Sequence, residues 1–295
     1  MHDEHIDAMR LNYNSHRSNY IENPSQLIEL EQRVTNLISE IITANWHEFK
    51  RDFDEASRNF PLWANHIPRD RGRAPRGDQI PWIEVGEHSI GHKLSRLISD
   101  VATVREIGLP FGSDDRYAIT NEEFCAFLFC DLKSVLKDGG DDADYIVVPP
   151  QQISGNGVWQ ADSMVHNDSV IARGQRAEHP FHPSLPPIVT STDGGAFPSV
   201  HIFIKPVYEI QSRVSDGDSW VGQPLDHIKL ICVPNGLLLT ETPGYLSQYR
   251  GLFYPGKDDK SKAEESLRCR VNTRILSQIA SWRVRVLDGR TSVVD

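Results

Sequence analysis

Cysteine and methionine are scarce, at 4 and 3 of 295 residues. Cys125, Cys130, Cys232 and Cys269 form no C-x-x-C pair and no Cys/His array at zinc spacing. This excludes a zinc module and points to reduced, structural thiols in a cytoplasmic protein. No run of about 18 apolar residues occurs, so no membrane partner is expected. The opening MHDEHIDAMRLNYN lacks a basic stretch and an apolar one, which argues against a secretory signal. G-x-S-x-G elbows, Walker-type phosphate loops, heptads and repeats are absent too.

Acidic residues are in excess, 41 Asp+Glu against 31 Lys+Arg, for a net charge of -10. Spread evenly, that charge would argue against a nucleic-acid partner. It is not even. Residues 69–76 hold Arg69, Arg71, Arg73 and Arg76 against one Asp, and residues 257–290 hold nine Lys+Arg against five acids. Two basic segments on an acidic body are the charge footprint of phosphate contact.

Residues 1–22 are polar and read as a loose N-terminal arm. Asn23, Pro24 and Gln26 form a helix-start signature. Leu27, Leu30, Val34, Leu37, Ile38, Ile41, Ile42 and Phe49 then recur at helical spacing, predicting a helix over 24–58. A second helix is expected over 87–101. After it the period falls to two, with strands expected at 103–107, 124–135 and 145–148 as neighbours. Others are expected at 188–192, 200–208, 227–233 and 237–240, then a short helix near 272–280 and a last strand at 282–287. The 124–135 run is apolar nearly throughout, as in a central strand covered on both faces. Residues 150–186 read as a surface excursion. Together 23–295 read as one α/β domain, a mixed central sheet flanked by helices.

The chemistry concentrates in GLPFGSDDRYAITNEEFCAFLFCDLKSV. Side chains alternate along a strand, so Asp131 and Lys133 share a face. A charged pair at the end of a buried strand needs a reason, because uncompensated burial of charge is costly. The Asp114–Asp115 pair upstream can bring a second carboxylate to the same place. Converging carboxylates suit a hard divalent cation such as Mg²⁺, which takes one or two of them plus waters and phosphate oxygens. A lysine beside it can orient water or neutralise charge on a phosphate. The acid-x-lysine triplet alone is weak, since residues 48–50 and 258–260 show it as well, and a simple salt bridge is the plain alternative. His88 and His92, at i and i+4, lack an adjacent acid and read as surface residues. Arg268 and Arg270 flank Cys269, so both guanidinium groups share a strand face. Such a pair can read guanines bidentately, and Asp259 can accept from cytosine.

The blocks DRGRAPRGDQIPWIEVGE, TVREIGLPFGSDDRY, FCDLKSV, QISGNGVW, VHIFIKPVY, VPNGL and PGKDD, in that order, resemble type II restriction endonucleases of the PD-(D/E)xK nuclease superfamily. The resemblance runs from about residue 50 to 287. It implies a restriction-endonuclease-like fold and a homodimer on double-stranded DNA. It also implies Mg²⁺-dependent cleavage (Mn²⁺ substituting) at an interrupted G·C palindrome of the GCCNNNNNGGC kind, by in-line attack of water on phosphorus. Asp114 and Asp131 would hold the metal and Lys133 would be the motif lysine. Asp114 aligns with the family's first acid, although Ser113 replaces the usual proline and Asp115 stays open. Glu87 matches a glutamate near the family's active site; on its own it reads equally as a helix N-terminal carboxylate. Lys257, Asp259, Arg268 and Arg270 match base-reading positions, Lys257 reading a base or a phosphate. The 69–76 arginines would lie along the DNA backbone. A structure-selective repair nuclease and a non-cutting DNA-binding regulator are the competing readings.

Overall fold

The computed structural model describes residues 2–63, 89–106, 115–137, 143–161, 164–175, 177–191, 194–209, 211–215, 218–222, 224–256 and 263–289. Three helices open the chain: α1 (His2–Glu22), α2 (Pro24–Ala44) and α3 (Trp46–Trp63). α4 (Ile90–Ser99) follows. The strands used below are β1 (Thr103–Glu106), β2 (Asp115–Thr120), β3 (Cys125–Leu132), β4 (Tyr145–Val148), β5 (Ala196–Tyr208), β6 (Leu225–Val233), β7 (Phe253–Pro255), β8 (Cys269–Asn272) and β9 (Val284–Leu287). Short helices α5 (Gly236–Thr240) and α6 (Thr273–Ile279) flank β7 and β8.

The main sheet runs β1-β2-β3-β5-β6-β9, with β3 parallel to β5 and the other neighbours antiparallel. Period-two alternation divides its side chains between two cores. Leu128, Cys130, Ile202, Ile204, Leu230 and Cys232 face α2, α3 and α4. Phe129, Phe203, Ile231 and Val233 face a second layer, the small sheet β7-β8-β4. β3 is thus buried on both faces, as its apolar run requires. Burial pushes the Cys232 thiol up to about 12, the behaviour of an inert core thiol. All four cysteines are unbridged.

Six sequence expectations need correction. Residues 1–22 are no loose arm: α1 docks on the body, with buried Tyr13 donating to Gly157 O at 2.7 Å and Arg17 pairing with Glu241 at 2.7 Å. Tyr13, Tyr20 and Ile21 of α1 also pack with Leu27, Ile188, Leu237 and Leu238 in a third apolar cluster. Asn23 does not cap α2; its Nδ2 donates to Asn19 O instead, at the end of α1. The 24–58 helix is two, broken at Asn45, whose backbone N and Nδ2 both donate to Ile41 O. Residues 150–186 are not a mere excursion, since Ile153, Val170, Ala172, Phe181 and Leu185 build the second core. The 237–240 run is α5, capped by Asn235 Oδ1 accepting from Leu237 N at 2.9 Å, and not a strand. β4, expected beside β3, lies instead in the small sheet. β2, which begins at Asp115 and lies outside the strand ranges expected from the sequence, stands between β1 and β3.

Two features lock the layers. A Cβ on Gly236 would meet Gly155 O at 2.0 Å, so the VPNGL and QISGNGVW turns touch backbone to backbone. Glu31 of α2 and Arg283 beside β9 form a 2.7 Å ion pair with both side chains buried, and Glu31 Oε1 also accepts from Asn235 N at 2.6 Å. Among the described residues no helix is long and apolar enough to cross a membrane.

Candidate active site

Asp131 and Lys133 sit at the C-terminal end of β3, where the ladder with β5 persists through Lys133 N donating to Ile204 O at 2.9 Å. Their side chains meet as the alternation demands, Lys133 Nζ lying 2.7 Å from Asp131 Oδ2. Asp131 is 6% exposed, and the Lys133 side chain is 32% exposed. This is a buried acid at a central strand end with a lysine at its open side, and not an edge-strand surface pair. Register pairs Asp115 with Cys130, so position 115 is one pleat step out of phase with Asp131.

Other cations share the Asp131 face. Arg116 pairs in register with Phe129 and lies over its ring, 5.2 Å from the centroid. Phe203 of β5 pairs with Asp131, which places Lys205 two residues further on the same face, and Lys205 pairs with Lys229 of β6. Sequence reasoning passed over Lys205 and Lys229. The signal was available: Lys205 is the lone cation in the apolar run VHIFIKPVY, at a phase that must be buried.

His201, on that face of β5, is fully buried and accepts from Ser154 N at 3.1 Å through Nε2. Burial lowers its pKa to about 4, from 6.5. A folded value below the unfolded one means stability is complete above pH 6.5 and is lost as pH falls toward 4. The expected loss is about 1.4 kcal/mol per pH unit over that window, or about 3 kcal/mol in all. Denaturant unfolding from pH 7 to 4 should show this slope, and His201→Gln should flatten it.

Of the candidate base readers, Arg268 and Arg270 are described. Arg270 lies in β8, its guanidinium 5.1 Å from the Tyr145 ring and 5.7 Å from the Tyr254 ring, with Nε donating to Pro255 O at 3.0 Å. Arg268 precedes β8, its carbonyl accepting from Gly256 N at 3.1 Å. His92 is exposed on α4, as expected of a surface residue. Asp114, Glu87, Lys257, Asp259, Arg69, Arg71, Arg73 and Arg76 lie outside the described residues.

A mixed sheet whose central strand ends in an acid-x-lysine pair, backed by helices on one face and a small sheet on the other, has the restriction-endonuclease fold. The solved structures agree. The crystal structure of the restriction endonuclease BglI bound to its DNA recognition sequence superposes with a TM-score of 0.87 and 40% identity, covering 99% of this chain and 100% of that one. The tetrameric restriction endonuclease SfiI bound to cognate DNA shares the fold, with a TM-score of 0.54 at 14% identity over 92% and 87% of the two chains. The profile of the family described as Restriction endonuclease BglI matches residues 9–287. The type II restriction enzyme BglI of Bacillus subtilis is 42% identical over 303 residues, covering 98% of this chain and 99% of that protein. The chain belongs to the BglI family and is a type II restriction endonuclease.

Membership implies a divalent metal cofactor, and the donor set fits one. Asp131 supplies a buried, hard carboxylate oxygen, and no soft ligand lies in the pair. Among the described residues no group of three His, Cys, Asp or Glu stands ready to hold an ion by itself.

Proposed function

We propose that this enzyme is a Mg²⁺-dependent endonuclease of the bacterial cytoplasm that cuts both strands of DNA at an interrupted G·C palindrome of the GCCNNNNNGGC kind, acting as a homodimer. The observation that carries the reading is the Asp131–Lys133 pair at the end of the central strand. Asp131 and Asp114 hold the metal, with Asp115 as the alternative to Asp114 and Mn²⁺ as a substitute of like ligand preference. When bound, the cation supplies positive charge that stabilises developing charge on phosphate and makes water a better nucleophile. Lys133 holds the attacking water in line with phosphorus by donating from Nζ; as the new P–O bond forms and the P–O3′ bond breaks, the water gives up a proton to solvent and the leaving 3′ oxygen takes one up from solvent. Glu87 supports this centre. A two-fold protein matches a palindromic site with one such centre on each strand.

Recognition falls to Lys257, Asp259, Arg268 and Arg270, and phosphate contact to Arg69, Arg71, Arg73 and Arg76. The geometry of Arg270 supports this role. With its guanidinium against two mutually touching tyrosine rings and Nε engaged, its terminal amino groups are oriented in advance for a guanine edge. Arg270→Ala is expected to weaken cognate binding by about 1–3 kcal/mol and relax specificity at one position. Competition binding against a duplex set varied base by base measures both.

Digestion of a phage genome with Mg²⁺ tests the whole reading. Discrete bands whose ends map to one interrupted palindrome are the expected result. A smear would indicate a structure-selective nuclease, and retained binding without cutting a regulator.

A further inference from the structure

Three successive carbonyls at the start of β4 are held from two different sheets. Ala143 O accepts from Lys229 Nζ at 3.1 Å, and Tyr145 O accepts from Lys205 Nζ at 2.9 Å; both lysines stand on the Asp131 face of the main sheet. Asp144 O, between them, accepts from Thr273 N and Thr273 Oγ1, each at 2.9 Å, at the end of β8 in the small sheet. Asp144 also pairs with Arg274 at 2.6 Å. The segment is a buckle, with catalytic-sheet ammonium groups gripping alternate carbonyls and Thr273, the residue directly after the candidate recognition strand, gripping the one between. Its last residue, Tyr145, carries the Arg270 guanidinium on its ring.

Holding layers together does not require lysine. Lys205 is 3% exposed, and burying an ammonium carries a penalty that a well-packed apolar side chain avoids. What a lysine adds is a directional bond that a shift of β4 would lengthen. Lys133, the residue that meets Asp131, is hydrogen-bonded to Ile204, the immediate neighbour of Lys205. A displacement of Tyr145 by the arginine above it therefore reaches the catalytic pair through one side chain and one backbone bond.

From this we infer that Lys205, assisted by Lys229, is a positioning residue that ties base readout by Arg270 to the placement of Asp131 and Lys133, so that cleavage depends on correct readout. The inference rests on the function proposed above, with Arg270 as a reader. It is a claim about coupling and is tested as one.

The test uses the full chain with two duplexes, one carrying GCCNNNNNGGC and one with a single G·C pair of that site changed. Single-turnover cleavage in Mg²⁺ and binding in Ca²⁺ are measured for wild type, Lys205→Met, Lys205→Arg, Lys229→Met and Arg270→Ala. For Lys205→Met the expected result is cognate cleavage slowed about tenfold or more, cognate binding held within about threefold, and the cognate-to-altered rate ratio reduced about tenfold, the scale of one mismatch. Lys205→Arg should recover most of the ratio. Lys229→Met, at the less buried end of the buckle, should shift the ratio the same way by less, and it serves as the readout if Lys205→Met does not fold. Equal slowing on both duplexes with an unchanged ratio would overturn the coupling and leave Lys205 merely structural. If Arg270→Ala itself leaves the ratio unchanged, the reading of Arg270 fails, and the coupling inference falls with it.

Discussion

Asp131→Ala is expected to bind the cognate duplex nearly as well as wild type and to cleave it at least about 10³-fold more slowly, a barrier rise of about 4 kcal/mol. The separation follows from the architecture. Of the arginines proposed to read bases, Arg270 lies in the small sheet and Arg268 directly precedes its strand, while Asp131 ends a strand of the main sheet. Substitution removes a carboxylate that is 6% exposed and contributes nothing to the apolar cores on either side. Lys133 then loses its partner but keeps about a third of its side chain in solvent, so its ammonium stays solvated. Single-turnover cleavage and fluorescence anisotropy on the same duplex measure the two halves. Mg²⁺-dependent cutting at the wild-type rate would remove Asp131 from the mechanism.

Glu31→Ala should destabilise the fold by about 3–5 kcal/mol, the range for stripping one partner from a buried ion pair. Burial alone raises the Glu31 carboxyl pKa, and the Arg283 charge with two hydrogen bonds opposes that rise. Without Glu31, Arg283 keeps the Cys232 carbonyl at 3.5 Å, the Cys232 sulfur at 3.8 Å and the face of Trp282 at 4.4 Å, none of them charged, to compensate a guanidinium that is almost wholly buried. Replacing both residues with methionine should restore much of the loss, because the cost lies in the orphaned charge. Guanidinium chloride unfolding of the two variants discriminates. A loss under 1 kcal/mol for the single variant would mean that the pair is dispensable.

What the sequence made legible, and what it hid, divides along the range of the interactions. The β3 run, the α2 stripe and the Asp131–Lys133 phase are set by periodicities within one element, and the structure shows them where those periodicities placed them. α1 escaped because its anchors, Tyr13 and Arg17, bond to backbone 144 and 139 residues away. GLLLT could not be assigned by pattern, since a five-residue apolar run fits strand and helix alike and the deciding contact is the Asn235 cap. β4 reads correctly as a strand, but its partners come from residues 269–272, and nothing local to Tyr145–Val148 encodes that choice. Lys205 was visible as an anomaly, yet its meaning lies in a carbonyl 60 residues away.

The Glu31–Arg283 contact spans 252 residues, and it has a consequence during protein synthesis. A nascent chain carrying α2 cannot neutralise its buried carboxylate, nor complete the ladder from β6 to β9, until residues 283–287 have cleared the ribosome exit tunnel. Domains ordinarily begin to fold as they emerge, and pairings of such long range come late. For an enzyme that cuts DNA, the lag keeps the sheet beneath the catalytic pair unfinished until residues 283–287 are available, so products of synthesis interrupted before them would be poor nucleases.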